Sequence, residues 1–111
     1  MTEEKIHIVQ DRENLEHLII NNKDPVVVSI LSDNEPCKKI IPKLEQVIDE
    51  NKGKVSLAKI NISDSKRLSI DYEVQTTPIL EIYKDGTVVD LISGVHDTCE
   101  IRSFIKNNIN N

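Results

Sequence analysis

The stretch Asp24-Pro25-Val26-Val27-Val28-Ser29-Ile30-Leu31-Ser32-Asp33-Asn34-Glu35-Pro36-Cys37-Lys38 decides the fold. After Pro25, the residues from Val26 to Leu31 form a nearly continuous apolar run, the pattern of a strand covered on both faces. Ser32 to Glu35 make a polar turn. Beyond it Ile40, Ile41, Leu44, Val47 and Ile48 recur at helical spacing, so a long helix is expected, stopping near Gly53. Pro42 lies inside it, removes one backbone donor and is expected to kink it.

The alternation of strand and helix continues in both directions. Upstream, Lys5 to Gln10 alternates with Ile6 and Ile8 on one side, a short strand. Asp11 can then cap a helix to about Asn22 that carries Leu15, Leu18 and Ile19. Downstream, Val55 to Ile60 reads as another buried strand, and Ser63 or Asp64 caps a short helix through Tyr72. Pro78 to Tyr83 and Thr87 to Ile92 flank Asp85-Gly86, a strong hairpin signal. Asp97 and Glu100 form a capping-box-like start to a last helix bearing Ile101, Phe104 and Ile105, and the Asn-rich end from Asn107 is expected to fray. The order is β-α-β-α-β-α-β-β-α. Helix-joined strands imply a parallel portion and the hairpin adds antiparallel strands, so an α/β fold with a mixed five-stranded sheet and helices on both faces is expected. No repeat, linker or boundary interrupts it, and residues 1–111 are read as a single domain.

Composition narrows the function. The 111 residues include 17 isoleucines, 10 valines and 8 leucines but only 3% aromatics and no tryptophan, so the core must be aliphatic and β-branched. The net charge is −5 with no basic patch, which gives a phosphate backbone little to bind; no nucleic-acid partner is expected. No apolar stretch approaches the roughly 20 residues needed to span a bilayer, so no membrane role is expected either. Glu3, Glu4, Asp11, Glu13 and Glu16 make the first twenty residues too acidic for a transit peptide and too polar for a signal peptide, which points to an intracellular protein. Two cysteines, Cys37 and Cys99, are too few for a disulfide framework or a zinc site, and His7, His17 and His96 show no ligand spacing. No metal, no cofactor and a monomeric state are the expectations.

The element order, with a buried strand leading into a Pro-Cys helix, resembles the thioredoxin family from about Ile6 to Ile109. Segments that look like its mitochondrial-type members are Asp24-Pro25-Val26-Val27-Val28, Pro36-Cys37-Lys38, Gly53-Lys54-Val55, Ala58-Lys59-Ile60 and Tyr72-Glu73-Val74. Thr76-Thr77-Pro78 matches the family's cis-proline loop. Asp85-Gly86, Val88-Val89-Asp90 and Gly94 match its closing hairpin and the glycine after it. The resemblance implies the thioredoxin fold, a cytoplasmic protein, or a mitochondrial one if a presequence has been removed, and a role in cell redox homeostasis.

The departures bear most on function. The family motif reads Trp-Cys-Gly-Pro-Cys-Lys, and this chain has Asp33-Asn34-Glu35-Pro36-Cys37-Lys38 after a loop one residue shorter. Asn34 stands where the family has its attacking cysteine, and Cys37 matches the resolving one. The family's buried acid falls on Ser29, while Lys59 matches the lysine that partners it. Thiol–disulfide exchange begins with a thiolate that reaches a substrate sulfur, and an amide is not a nucleophile at neutral pH. Asn34 is instead a strong helix N-cap, able to accept the N–H of Cys37. Cys37 should sit one turn inside the helix, where apolar burial works against a thiolate. The residue before the family's cis-proline, here Thr77, offers backbone groups to an extended peptide, which needs no cysteine. The resemblance therefore implies a binding groove of Asp33, Asn34, Glu35, Pro36, Thr77, Pro78, Gly94 and Val95. A redox-inactive or weakly active polypeptide-binding module is the expected function. The alternative is a monothiol oxidoreductase or redox sensor acting through Cys37.

Overall fold

The computed structural model describes residues 6–64, 66–71 and 77–109. In chain order the elements are β1 (Ile6–Val9), α1 (Arg12–Asn21), β2 (Val26–Leu31), α2 (Glu35–Glu50), β3 (Ser56–Asn61), α3 (Lys66–Asp71), β4 (Ile79–Lys84), β5 (Thr87–Ser93) and α4 (Thr98–Ile109). This is the expected succession. The readings that involved Lys5, Tyr72, Glu73, Val74, Thr76 and the two final asparagines lie outside the described residues.

The five strands form one mixed sheet in the order β1-β3-β2-β4-β5. β3 runs parallel to both β1 and β2, whereas β4 is antiparallel to β2 and β5 antiparallel to β4. Alternation of side chains divides the interior in two. Val27 and Leu31 of β2, with Leu57, Leu80 and Ile82, pack under α2 and α4 against Ile40, Leu44, Val47, Ile101 and Ile105. Val26, Val28 and Ile30 face the other way, with Val9, Leu15, Ala58, Ile60 and Leu68. Every residue of β2 is buried, which is why its sequence shows no polar alternation. β5 is an edge strand, and Val88, Val89 and Leu91 are exposed on it. Val89 falls at a register shift opposite Ile82 and Tyr83, a bulge that blunts the open edge.

Local chemistry sets the helix ends. Asp11 accepts the N–H of Asn14 at 2.7 Å and caps α1. The Asp97 carboxylate accepts the N–H of Glu100 (2.8 Å) while the Glu100 carboxylate accepts that of Asp97 (3.0 Å), the reciprocal box expected for α4. Helix α2 runs through Pro42 without interruption. It ends at Asn51, whose side chain donates to the Val47 carbonyl at 2.7 Å, and Lys52 and Gly53 then turn the chain with positive φ. The Ser63 hydroxyl accepts the N–H of Asp33, so the turn after β3 is tied to the turn after β2.

Candidate functional site

One end of the sheet gathers the candidate residues, and strand order explains why. Ile30 of β2 pairs with Ile79 of β4, and Ile79 pairs with Ser93 of β5. The exits of β2 and β5 therefore flank the entry to β4. Ser32–Glu35 stand on one side of Thr77–Pro78, and Gly94–Val95 on the other, at roughly 4.8 Å per strand. Beyond β2, Leu31 pairs with Asn61 of β3, which brings Asn61 and Ser63 beside Asp33. This is the end where a parallel sheet of this kind presents its sites.

Hydrogen bonds connect these loops. Asn34 caps α2: its Oδ1 accepts the Cys37 N–H at 2.9 Å. The same amide donates from Nδ2 to Thr77 Oγ1 at 3.0 Å. The Thr77 hydroxyl also bonds to that of Ser32, and the Ser32 N–H donates to Cys37 Sγ at 3.3 Å. Asp33 is held separately, its Oδ1 accepting Asn61 Nδ2 at 2.9 Å. On the far wall, the Gly94 N–H donates to the Pro78 carbonyl at 2.9 Å. The Thr77–Pro78 peptide bond is cis, Pro78 is buried and Val95 is 56% exposed.

Cys37 is only 1% exposed and belongs to the aliphatic core under α2, with Val27, Leu31, Ile40 and Leu57. Both cysteines are free, and Cys99 is exposed near the start of α4. The sulfur of Cys37 meets a backbone N–H but no basic side chain among the described residues. Asn34 lies one helical turn before it, as the cap of α2.

Ser29 and Lys59 lie deeper. Ser29 is fully buried, and its hydroxyl donates to the Ala58 carbonyl at 3.0 Å, so the position is satisfied without charge. Lys59 pairs in register with Ser29 but turns to α2, where its Nζ lies 2.6 Å from Glu45 Oε2. Of the expected groove residues, the hydrogen bonds join Asn34 to Thr77 and Pro78 to Gly94. Glu35 is exposed and 3.8 Å from Lys38. Ser32 was missed in the sequence. It touches both Cys37 and Thr77, and its only signal was its place immediately after the buried strand. Among the described residues, no group of three histidines, cysteines or carboxylates is placed to hold a metal, and no helix is long and apolar enough to cross a membrane.

A family model described as Thioredoxin matches residues 6–107. The chain belongs to the thioredoxin family. It is 36% identical over 99 residues to a mouse mitochondrial thioredoxin (Mus musculus), a match covering 88% of this chain and 60% of that protein. The chain thus spans about 60% of the length of the mitochondrial thioredoxins it matches. Thioredoxin C-2 of Corynebacterium nephridii is 31% identical, with 87% and 91% of the two chains covered. Among solved structures, a mutant thioredoxin from Halobacterium salinarum NRC-1 superposes with a TM-score of 0.79 over 95% of this chain and 91% of its own, at 24% identity. That likeness supports the thioredoxin fold.

Proposed function

We propose that this thioredoxin-family chain is a polypeptide-binding module that has given up thiol–disulfide exchange. The observation that carries the reading is the division of labour at the mouth of α2. Asn34 fills the attacking position and binds Cys37 N–H and Thr77 Oγ1 at once, while the Cys37 sulfur is buried. Exchange requires a thiolate to approach a disulfide in line, and nothing at position 34 can supply one.

Binding needs much less. Thr77 spends its hydroxyl on Asn34 and Ser32, and its backbone N–H and C=O have no partner among the described residues. Such a pair of free main-chain groups at the end of a sheet suits an extended segment that pairs with the backbone of the loop itself, since β4 is already flanked by β2 and β5. The burial of Ser29 without charge supports the same reading, because the family's acid would serve deprotonation of a thiol that here has no attacking partner. By resemblance the module acts inside the cell as a single domain on unfolded or extended protein segments.

The reading is tested by insulin reduction with dithiothreitol, followed by turbidity. No acceleration is expected. Acceleration that Cys37→Ser abolishes overturns the reading in favour of a monothiol oxidoreductase. In the same protein a thiol reagent should modify Cys99 promptly and Cys37 only after denaturation. Binding itself is read from backbone amide shifts on adding carboxymethylated insulin B chain, with movement expected at Thr77, Gly94 and Val95. An unperturbed spectrum at high peptide concentration removes the polypeptide-binding half.

A further inference from the structure

The two walls of the groove differ in chemistry. On the β2 side stands Asp33, exposed, with its Oδ1 fixed by Asn61 and its Oδ2 without a hydrogen-bond or ion-pair partner among the described residues. An amide, not a cation, holds this carboxylate, so its charge is oriented but uncompensated. Glu35, two residues on, is also exposed, and its nearest cation is Lys38 at 3.8 Å on a side chain that is itself 64% exposed. Both acids sit at the N-terminal end of α2, where the helix dipole favours negative charge, so the acidic wall does not strain the fold. On the β5 side stands Val95, 56% exposed in a chain that buries most of its aliphatic residues. Between them run the free main-chain groups of Thr77.

We propose that the Thr77–Pro78 groove selects an extended polypeptide segment that carries a lysine or arginine on the Asp33 side and an apolar residue on the Val95 side. This rests on the polypeptide-binding reading above and adds its specificity. The main-chain groups of Thr77 take any sequence, because backbone pairing reads no side chains. Discrimination falls to the walls. An acidic residue entering beside Asp33 meets a carboxylate that cannot turn away, since Asn61 holds it. A basic residue meets the free Oδ2. Asn34 and Ser32 act as positioning residues, turning the Thr77 hydroxyl inward.

The experiment uses three fluorescein-labelled peptides of identical extended sequence with arginine, glutamine or glutamate at one central position and a leucine two residues on. Fluorescence anisotropy is read on the full chain. Exposed ion pairs at a rim give modest discrimination, so the arginine peptide is expected to bind about fivefold tighter than the glutamine one, with glutamate weakest. Asp33→Asn combined with Glu35→Gln should collapse the three affinities onto one value. The charge-matched control Asp49→Asn with Asp85→Asn should preserve their order, which separates the groove from the general attraction of a chain with net charge −5. Equal binding of all three peptides to the unmodified chain overturns the selectivity and leaves polypeptide binding standing. An order that survives in the Asp33/Glu35 variant places discrimination elsewhere and also overturns it. Failure of every peptide to bind removes the underlying reading together with this one.

Discussion

Helix α2 is pinned at both ends, by different chemistry. At its N-cap Asn34 joins the helix to the Thr77 loop through uncharged groups, the amide and two hydroxyls. At its last residue Glu50 takes two bonds from the Arg102 guanidinium of α4, at 2.8 and 2.9 Å, a forked ion pair across the helix–helix seam. The caps of α1 and α4 sharpen the contrast. Asp11 and Asp97 are carboxylates because there only an acceptor is required. Position 34 needs an acceptor for Cys37 and a donor for Thr77, and an amide alone among the short N-cap side chains carries the two on separate atoms. Asn34 thus works as a joint between two loops as well as a cap.

The largest effect on stability is therefore expected at the neutral end. Asn34→Ala removes a cap, worth about 1 kcal/mol, and strands the bridge to Thr77, worth about another 1 kcal/mol. Asp11→Ala, which loses a cap alone, should cost about half as much. Urea unfolding of the two variants measures the difference. Equal losses would show that the bond to Thr77 carries nothing, and the two caps would then be alike.

Next in size is Thr77→Val, which keeps the shape and removes the hydroxyl shared by Asn34 and Ser32. A loss of about 1 kcal/mol is expected, since both partners are part-exposed and water can replace some of the bond. In the double variant Asn34→Ala/Thr77→Val, the losses should fall short of additive, because each removes the same contact. Full additivity would break the claim that the two residues form one joint.

Much of this was legible in the sequence, and the division follows range. The caps at Asp11, Asn34 and Asp97 are local, decided by residues three apart, and all three form. The fully buried β2 was legible because its apolar run never alternates. The second bond of Asn34 was not, since Thr77 is 43 residues away and only the pairing of β2 with β4 brings it near. The same holds for Lys59. Its Glu45 partner depends on the face that β3 turns toward α2. Ser63 shows the same limit: its hydroxyl accepts the N–H of Asp33 across the neighbouring turn, a contact that only the pairing of β2 with β3 creates. The groove residues came from family resemblance, and strand order then supplied a physical reason for their meeting at one end of the sheet.

The smallest effect belongs to the charged end, and its pH dependence distinguishes it from the other. The Arg102 guanidinium, foremost through its hydrogen bonds, lowers the Glu50 carboxyl from 4.5 to about 2, and Gln46 adds to this. A carboxylate with a lowered folded pKa stabilises the fold fully above its unfolded value and loses that contribution as pH falls through the folded one. The pair therefore acts above pH 4.5 and fades between pH 4.5 and about 2. Because both side chains are partly solvated, its strength is also screened by salt. Glu50→Gln should show a small stability deficit near neutral pH that shrinks toward zero as pH approaches 2. The Asn34→Ala deficit should stay constant across the same window, because neither an amide nor a hydroxyl titrates there. Urea midpoints for the two variants, each referred to the unmodified chain at the same pH, give two lines: one flat, one converging. A Glu50→Gln deficit that persists at low pH would mean that an amide at position 50 packs less well than the native side chain regardless of charge, and the charged end would then differ from the neutral one in name only.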